Sequence, residues 1–535
     1  MRSAIAIRPH NIVGSPAEPR EAGIDAMQSG DQGQFFRRVP TWALLVICCV
    51  AQFMVTLDVS IVNVALPQMR HDLGLSVTAQ QWVVNAYTLT FAGLLMLGGR
   101  AADLLGRKRM FMTGLGLFTL CSLMGGLAQD GAWLIAARAA QGVGGAILAP
   151  ATLSLLTTRF VGPAERRRAL GAWSATAASA AAAGVLLGGV LTDLVGWRSV
   201  LFVNVPIGAI LVAGSWRALT ESKVALAVAG AGAGTGAGAG AEGSFRSLDL
   251  RGAFSVTAGL SVLVYGIVGT DTHSWGSVQT LVALAVGTVL LVAFLFVESR
   301  LAAHPIVPLA IFRMRALSVA NGIAAMVGAA LFGVYFFLSL YIQEVNGYSP
   351  LRAGLAFLPV GLASLAGALN AARLVARIGA RRQLVLGLGL AAGGMAWIST
   401  LSPGDSYFGH LFAPVLLIGL GIGICFVPMT LAATSGVPAH QAGLASGLVN
   451  TSRQVGGAVG LAVLATVAAG AARGGAGTME PTAAALTHGY DLAFVIAAVV
   501  LACGAGLALL LPGAAKPARA RELVARRPAK VVAEA

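Results

Sequence analysis

Residues 56–69 read TLDVSIVNVALPQM, and the acid Asp58 stands within an apolar run extending from about 41 to 65. A run of that length matches the roughly 20 residues that carry a helix across a ~30 Å hydrocarbon layer. A carboxylate near the middle of such a helix costs about 2.5–3.5 kcal/mol on insertion scales. An acid retained there needs a reason, and the reading of the whole chain turns on finding it.

Outward from this stretch, apolar runs recur to position 511. The chain has 535 residues, 57% hydrophobic and 11% charged, with a mean hydropathy of +0.81. Soluble domains carry about 25% charged residues, so an integral membrane protein of many helices is expected. Segmentation gives fourteen: about 41–65, 80–99, 110–129, 132–157, 169–192, 199–217, 252–270, 277–297, 316–343, 351–372, 383–401, 408–431, 439–470 and 489–511. Residues 1–40 contain no apolar core of a cleavable signal peptide.

The basic residues test this count. With the N-terminus in the cytoplasm, 30 of the 36 Lys and Arg fall on the cytoplasmic side, four outside (Arg70, Arg198, Arg352, Arg473) and two within spans (Arg138, Arg453). That bias is the one the positive-inside rule demands, and a miscount by one helix would scramble it. The net charge of +15 is therefore read as orientation, with no nucleic-acid partner expected. The expected location is the cytoplasmic membrane, multi-pass, with both termini inside. The five cysteines all fall in apolar spans, without disulfide or zinc spacing, and no metal site is expected. No Gly-Lys dipeptide occurs, so a phosphate-cradling P-loop is absent and direct drive by ATP is not expected. Nor is an enzyme: no metal-ligand cluster or nucleophile–base pair is visible.

Two basic loops read as an internal repeat or as two unrelated cytoplasmic loops, and their matching places in the helix order favour the repeat. GRAADLLGRKR (99–109) and ARLVARIGARR (372–382) align at an offset of 273, matching Arg100 with Arg373, Gly106 with Gly379, Lys108 with Arg381 and Arg109 with Arg382. Each loop joins the second and third helix of a six-helix set. The expected organisation is a tail over 1–40, a six-helix bundle over 41–220 and a Gly/Ala-rich linker over 221–251. Two inserted helices follow over 252–297, then a second bundle over 298–511 and a basic tail over 512–535. Transporters built of related halves bind substrate near the midplane between them.

Several motifs in order resemble the major facilitator superfamily, in particular its fourteen-helix drug:proton antiporters. They are LDVSIVNVALP (57–67), GRAADLLGRK (99–108), LIAARAAQGVGGA (134–146), WRSVLFVNVPIG (197–208) and GLVNTSRQVGGAVG (447–460). The fifth-helix motif of the antiporters departs here: GVLLGG (184–189) keeps Gly184, Gly188 and Gly189 but has Val185 where the family has proline.

The resemblance implies an all-α membrane protein of two six-helix bundles plus two helices between them, working as a proton-driven multidrug or antibiotic exporter by alternating access. Its partners would be protons, a small amphipathic substrate and membrane lipid, with no cofactor beyond the coupling proton and a monomeric state. An exporter or facilitator of a defined metabolite, or a membrane sensor that does not transport, are the rival readings.

The residues carry the following expectations. Desolvation favours the protonated form of a carboxylic acid, which suits Asp58 to proton coupling; the alternative is a structural carboxylate bonded to nearby backbone. No other acid is expected deep in a span. Arg138 lies too far inside its helix to reach the cytoplasm and must find partners in the bundle, where the resemblance gives it a part in the proton site. The resemblance makes Gly99, Asp103, Gly106, Arg107 and Lys108 a conformational latch. Arg453, with Asn450, would attract an anionic group of substrate or bond backbone carbonyls. Asn63, Tyr87, Gln141 and Tyr335 complete the substrate-cavity candidates. Gly184, Gly188 and Gly189 are helix-packing positions.

Overall fold

The computed structural model describes residues 40–160, 162–219, 249–270, 273–301, 305, 307–438, 441–474 and 482–512. The Gly/Ala-rich linker over 227–243 and nearly all of both terminal tails lie outside the described residues.

Among the described residues fourteen long helices run in order: α1 Thr41–Leu73, α2 Val77–Leu105, α3 Arg107–Gly126, α4 Gly131–Arg159, α5 Pro163–Leu194, α6 Ser199–Ala218 (interrupted at Val203), α7 Leu250–Gly269 and α8 Val278–Phe296. There follow α9 Arg315–Leu340, α10 Pro350–Ile378, α11 Ala380–Ile398, α12 Phe412–Thr434, α13 Ala442–Gly474 and α14 Ala483–Ala508. Among the described residues there is no strand. Twelve of these helices are long and apolar enough to cross a membrane; α3 and α11 fall short of that apolarity.

Most helices outrun the apolar segments that mark them, because caps and turns decide where a helix stops. Gly74 ends α1 in the left-handed region, at φ 59°. Ser76 caps α2, accepting from the Ala79 amide, and Asp130 caps α4, accepting from the Trp133 amide. Helix α14 starts at Ala483 under a Thr482 cap rather than near 489. Asp491 thus lies two turns inside a helix, which corrects the expectation that Asp58 is the only acid well within one.

The repeat is visible in packing. Helix α2 packs on α4, α3 on α4 and α1 on α5; eight helices later α10 packs on α12, α11 on α12 and α9 on α13. Gly106 and Gly379, 273 positions apart, start α3 and α11 with φ 115° and 82°. That backbone region is readily open only to glycine, so the two loops share a constraint their side chains only partly show.

The halves meet along two seams. On one, α5 is wedged between α1 and α10. A methyl group on Gly184 would collide with Ser60, one on Gly188 would lie 2.8 Å from the Ile61 carbonyl, and one on Gly189 would lie 2.6 Å from the Pro350 carbonyl. Val185 turns its carbonyl toward Gly354 on this seam, and α5 runs through that position unbroken. On the other seam α2 packs on α13, and α7 covers the junction by contacting both. Leu89 of α2, Leu260 and Val264 of α7, and Ala458 and Ala462 of α13 share one apolar cluster there. Helix α7 is therefore a brace across the halves, with α8 packed on it.

The 99–109 and 372–382 loops lie at one end of the bundle. At the other end α1 is tied to α9. Ser339 Oγ donates to the Asn63 carbonyl at 2.9 Å, Gln343 Nε2 donates to the Val64 carbonyl at 3.1 Å, and Arg70 meets Glu344 at 3.4 Å.

Candidate functional site

Helix α1 brings Asp58 to a position with no solvent exposure, facing α4 and α6. Arg138 Nη1 lies 2.5 Å from one carboxylate oxygen, Oδ2. The other oxygen, Oδ1, accepts from Gln141 Nε2 at 2.8 Å and from Asn204 Nδ2 at 2.9 Å. Spacing alone puts Arg138 and Gln141 together, since residues three apart on a helix share a face, and Arg138 Nη1 also donates to Gln141 Oε1 at 2.8 Å.

The guanidinium is held on its other sides as well. Its Nε donates to the Val83 carbonyl of α2 at 3.2 Å, and its Cζ stands 4.4 Å from the centroid of the Tyr87 ring. Asn204 is anchored by donating to Ser122 Oγ at 3.0 Å, and Ser122 in turn donates to the Leu201 carbonyl at 2.8 Å. One carboxylate thereby joins α1, α4 and α6, with α2 and α3 in the surrounding shell. Charge-assisted bonds of this kind are the strong ones, and losing either ion would strand the other in a dry interior.

Sequence reasoning singled out Asp58, Arg138 and Gln141 but missed Asn204 and Ser122. The signal for Asn204 was present in WRSVLFVNVPIG, where an amide interrupts an apolar run and, like an intramembrane charge, needs a partner. The structure places two of the cavity candidates against the ion pair. Tyr87 is buried, stacked on Phe91 beneath the guanidinium, and Gln141 is fully buried against Asp58. Both belong to the packing of the ion pair, because a buried charge draws every polar and aromatic group in reach. Asn63 bonds within its own helix, its Nδ2 donating to the Val59 carbonyl at 2.8 Å. Tyr335 is half-buried and stacks on Phe357.

Around the 99–109 loop, Arg107 lies 3.3 Å from Asp103, which also accepts from Ser154 Oγ of α4 at 3.2 Å. Lys108 Nζ donates to the Trp216 and Leu219 carbonyls, a cation placed where the C-terminus of α6 leaves carbonyls free. Gly106 supplies the turn, and Gly99 faces Pro150 of α4, whose Cβ a methyl there would meet at 3.6 Å. The loop thus joins α2, α3, α4 and α6.

Arg453 lies in the twelfth position of α13. Its Nη2 donates to Asn450 Oδ1 at 2.7 Å, and its Cζ stands 5.4 Å from the Phe426 ring centroid on α12. Arg138 and Arg453, the two cations placed within spans, thus stand in different settings: the first is paired with Asp58, and the second has no carboxylate partner among the described residues.

The sequence profile of the Major Facilitator Superfamily matches residues 48–461. The chain is 43% identical over 473 residues to a cephamycin export protein of Amycolatopsis lactamdurans, covering 88% of this chain and 93% of that one. It is 39% identical over 501 residues to a puromycin resistance protein of Streptomyces alboniger, covering 92% and 95%. It is 33% identical over 428 residues to a tetracenomycin C resistance and export protein of Streptomyces glaucescens, covering 80% and 76%. A crystal structure of a peptide transporter in complex with sulfate superposes with a TM-score of 0.62 at 16% identity, over 90% of this chain and 99% of that one; this likeness concerns the fold. With its helical repeat, its many apolar helices and these relatives, the chain belongs to the major facilitator superfamily: it is a multi-pass membrane transporter and not an enzyme.

Proposed function

We propose that the protein exports amphipathic antibiotic-like compounds in exchange for protons, by alternating access. The observation that carries this reading is the Asp58 carboxylate, fully buried and held by Arg138, Gln141 and Asn204 on two neighbouring helices. Proton binding to Asp58 removes the negative charge that neutralises Arg138. The guanidinium, about 20 kcal/mol from water in idealised continuum terms and several in practice, then needs a new partner, and helices α1, α4 and α6 lose their shared tie. A protonation event at one atom becomes a change in how three helices pack.

The relatives are antibiotic export and resistance proteins, which supports drug-like cargo. The concentration of Lys and Arg in alternate loops supports cytoplasmic termini in the cell membrane. The protein works as a monomer, with protons as its coupling ion. The 99–109 loop acts as the conformational latch, through its ties to α4 and α6.

The test is transport by protein reconstituted in proteoliposomes. Under an imposed pH gradient, at least one of a panel including a cephamycin and puromycin should accumulate, and collapsing the gradient with a protonophore should abolish accumulation. Accumulation indifferent to the protonophore would refute proton exchange.

A further inference from the structure

We propose that Arg453 and Asn450 of α13, with Phe426 of α12, form a binding subsite for the carboxylate group of an amphipathic anionic substrate. This rests on the export reading above and deepens it by naming a chemical class for the cargo.

A permanently charged group inside a membrane helix is costly and marks function unless it is neutralised. Arg138 is neutralised by Asp58 at 2.5 Å. For Arg453, no carboxylate stands as partner among the described residues. Its one hydrogen bond, to Asn450 Oδ1, uses one of the five N–H donors that a guanidinium presents. That acceptor is a side chain one turn away on the same helix rather than a backbone carbonyl of a neighbouring helix. Arg453 Cζ stands 5.4 Å from the Phe426 ring centroid, within cation–π reach, and a guanidinium with donors to spare can capture a carboxylate bidentately. Asn450, by accepting from the arginine, keeps its own amide donors for a second contact.

The placement fits a substrate path. Helix α13 turns Val455, Val459 and Thr466 toward α7 on the outside of the bundle; the first two pack in the α7 cluster, and Thr466 Oγ1 donates to the Ile267 carbonyl at 3.1 Å. At roughly 100° per residue, Arg453 lies about 200° from Val455 and Asn450 about 180° from Val459. Both therefore project from the opposite edge, inward. One turn before Asn450, Gly447 packs on Met96 of α2. The subsite lies where the two halves face each other, and its residues are half-buried rather than sealed.

A matched pair of probes tests this: dansyl-phenylalanine and its methyl ester, equal in bulk and different in charge. Binding is read by dansyl fluorescence on the full chain in phosphatidylcholine nanodiscs, which hold no anionic lipid to occupy the site. Wild type should bind the acid about tenfold or more tighter than the ester, as a charge-assisted pair predicts. Arg453→Gln should bring that ratio to about one. Arg453→Lys, which keeps charge without the fork, should hold it between the two. If wild type binds acid and ester alike, including no binding of either, the proposal is overturned. It is equally overturned if Arg453→Gln, eluting as a single folded species, keeps the preference. Failure of the export reading shows differently, as absent transport in proteoliposomes with the acid preference intact.

Discussion

Arg138 and Asp58 meet at 2.5 Å with side-chain exposures of 2% and 0%, a dry ion pair between helices α4 and α1. Removing one member of a buried pair typically costs about 3–5 kcal/mol, because the survivor is left charged and unpaired. Asp58→Asn and Arg138→Gln should each lower thermal stability, measured on purified protein in detergent. The double variant should lose less than the two losses added, since it strands no charge. Strict additivity would mean that the pair is not coupled in the folded protein.

Asn204 tests how far the site extends beyond its charges. Asn204→Leu removes a donor from Asp58 Oδ1 and from Ser122 Oγ while keeping the side chain's bulk. Loss of a hydrogen bond to a charged group amounts to about 1.5–3 kcal/mol. Efflux under a pH gradient should fall about tenfold or more while protein level stays near wild type. Unchanged efflux would confine the site to Asp58, Arg138 and Gln141.

The two loop glycines give a test of the repeat. Gly106 and Gly379 hold φ 115° and 82°, where an L side chain is strained by about 1–3 kcal/mol. Gly106→Ala and Gly379→Ala should each lower the unfolding temperature by similar amounts, although only the first loop carries an aspartate at the matched position. A harmless Gly379→Ala would show that the second loop no longer depends on that turn.

Glu344 should hold the end of the bundle away from the basic loops. It bridges to Arg70 at 3.4 Å beside the bonds from Ser339 and Gln343 to the α1 backbone. Glu344→Gln should weaken closure there, widening distances between spin labels placed on Leu73 and Gly347. An unchanged distance distribution would leave closure to Ser339 and Gln343.

Much of this was legible beforehand because a bilayer narrows the choices. Helix order follows from the apolar runs, twelve of which lie in helices long and apolar enough to cross a membrane, and Asp58 and Arg138 declare themselves because isolated charges in hydrocarbon need partners. What could not be read was tertiary. Nothing local to Asn204 says it points at Asp58, 146 positions away. Nothing local to Tyr87 says it lies under a guanidinium rather than along a cavity. Helix ends were misplaced where capping outlasts apolarity, which is how Asp491 came to be read near a terminus. The role of α7 as a brace follows only from seeing it against both α2 and α13.

The most direct measurement is proton release on binding. With purified protein in weakly buffered detergent, near neutral pH, a transported compound is added and released protons are followed with a pH-sensitive dye. Exchange at Asp58 predicts that wild type releases up to about one proton per molecule bound, and that Asp58→Asn binds the compound and releases none. Proton release persisting in Asp58→Asn would contradict it.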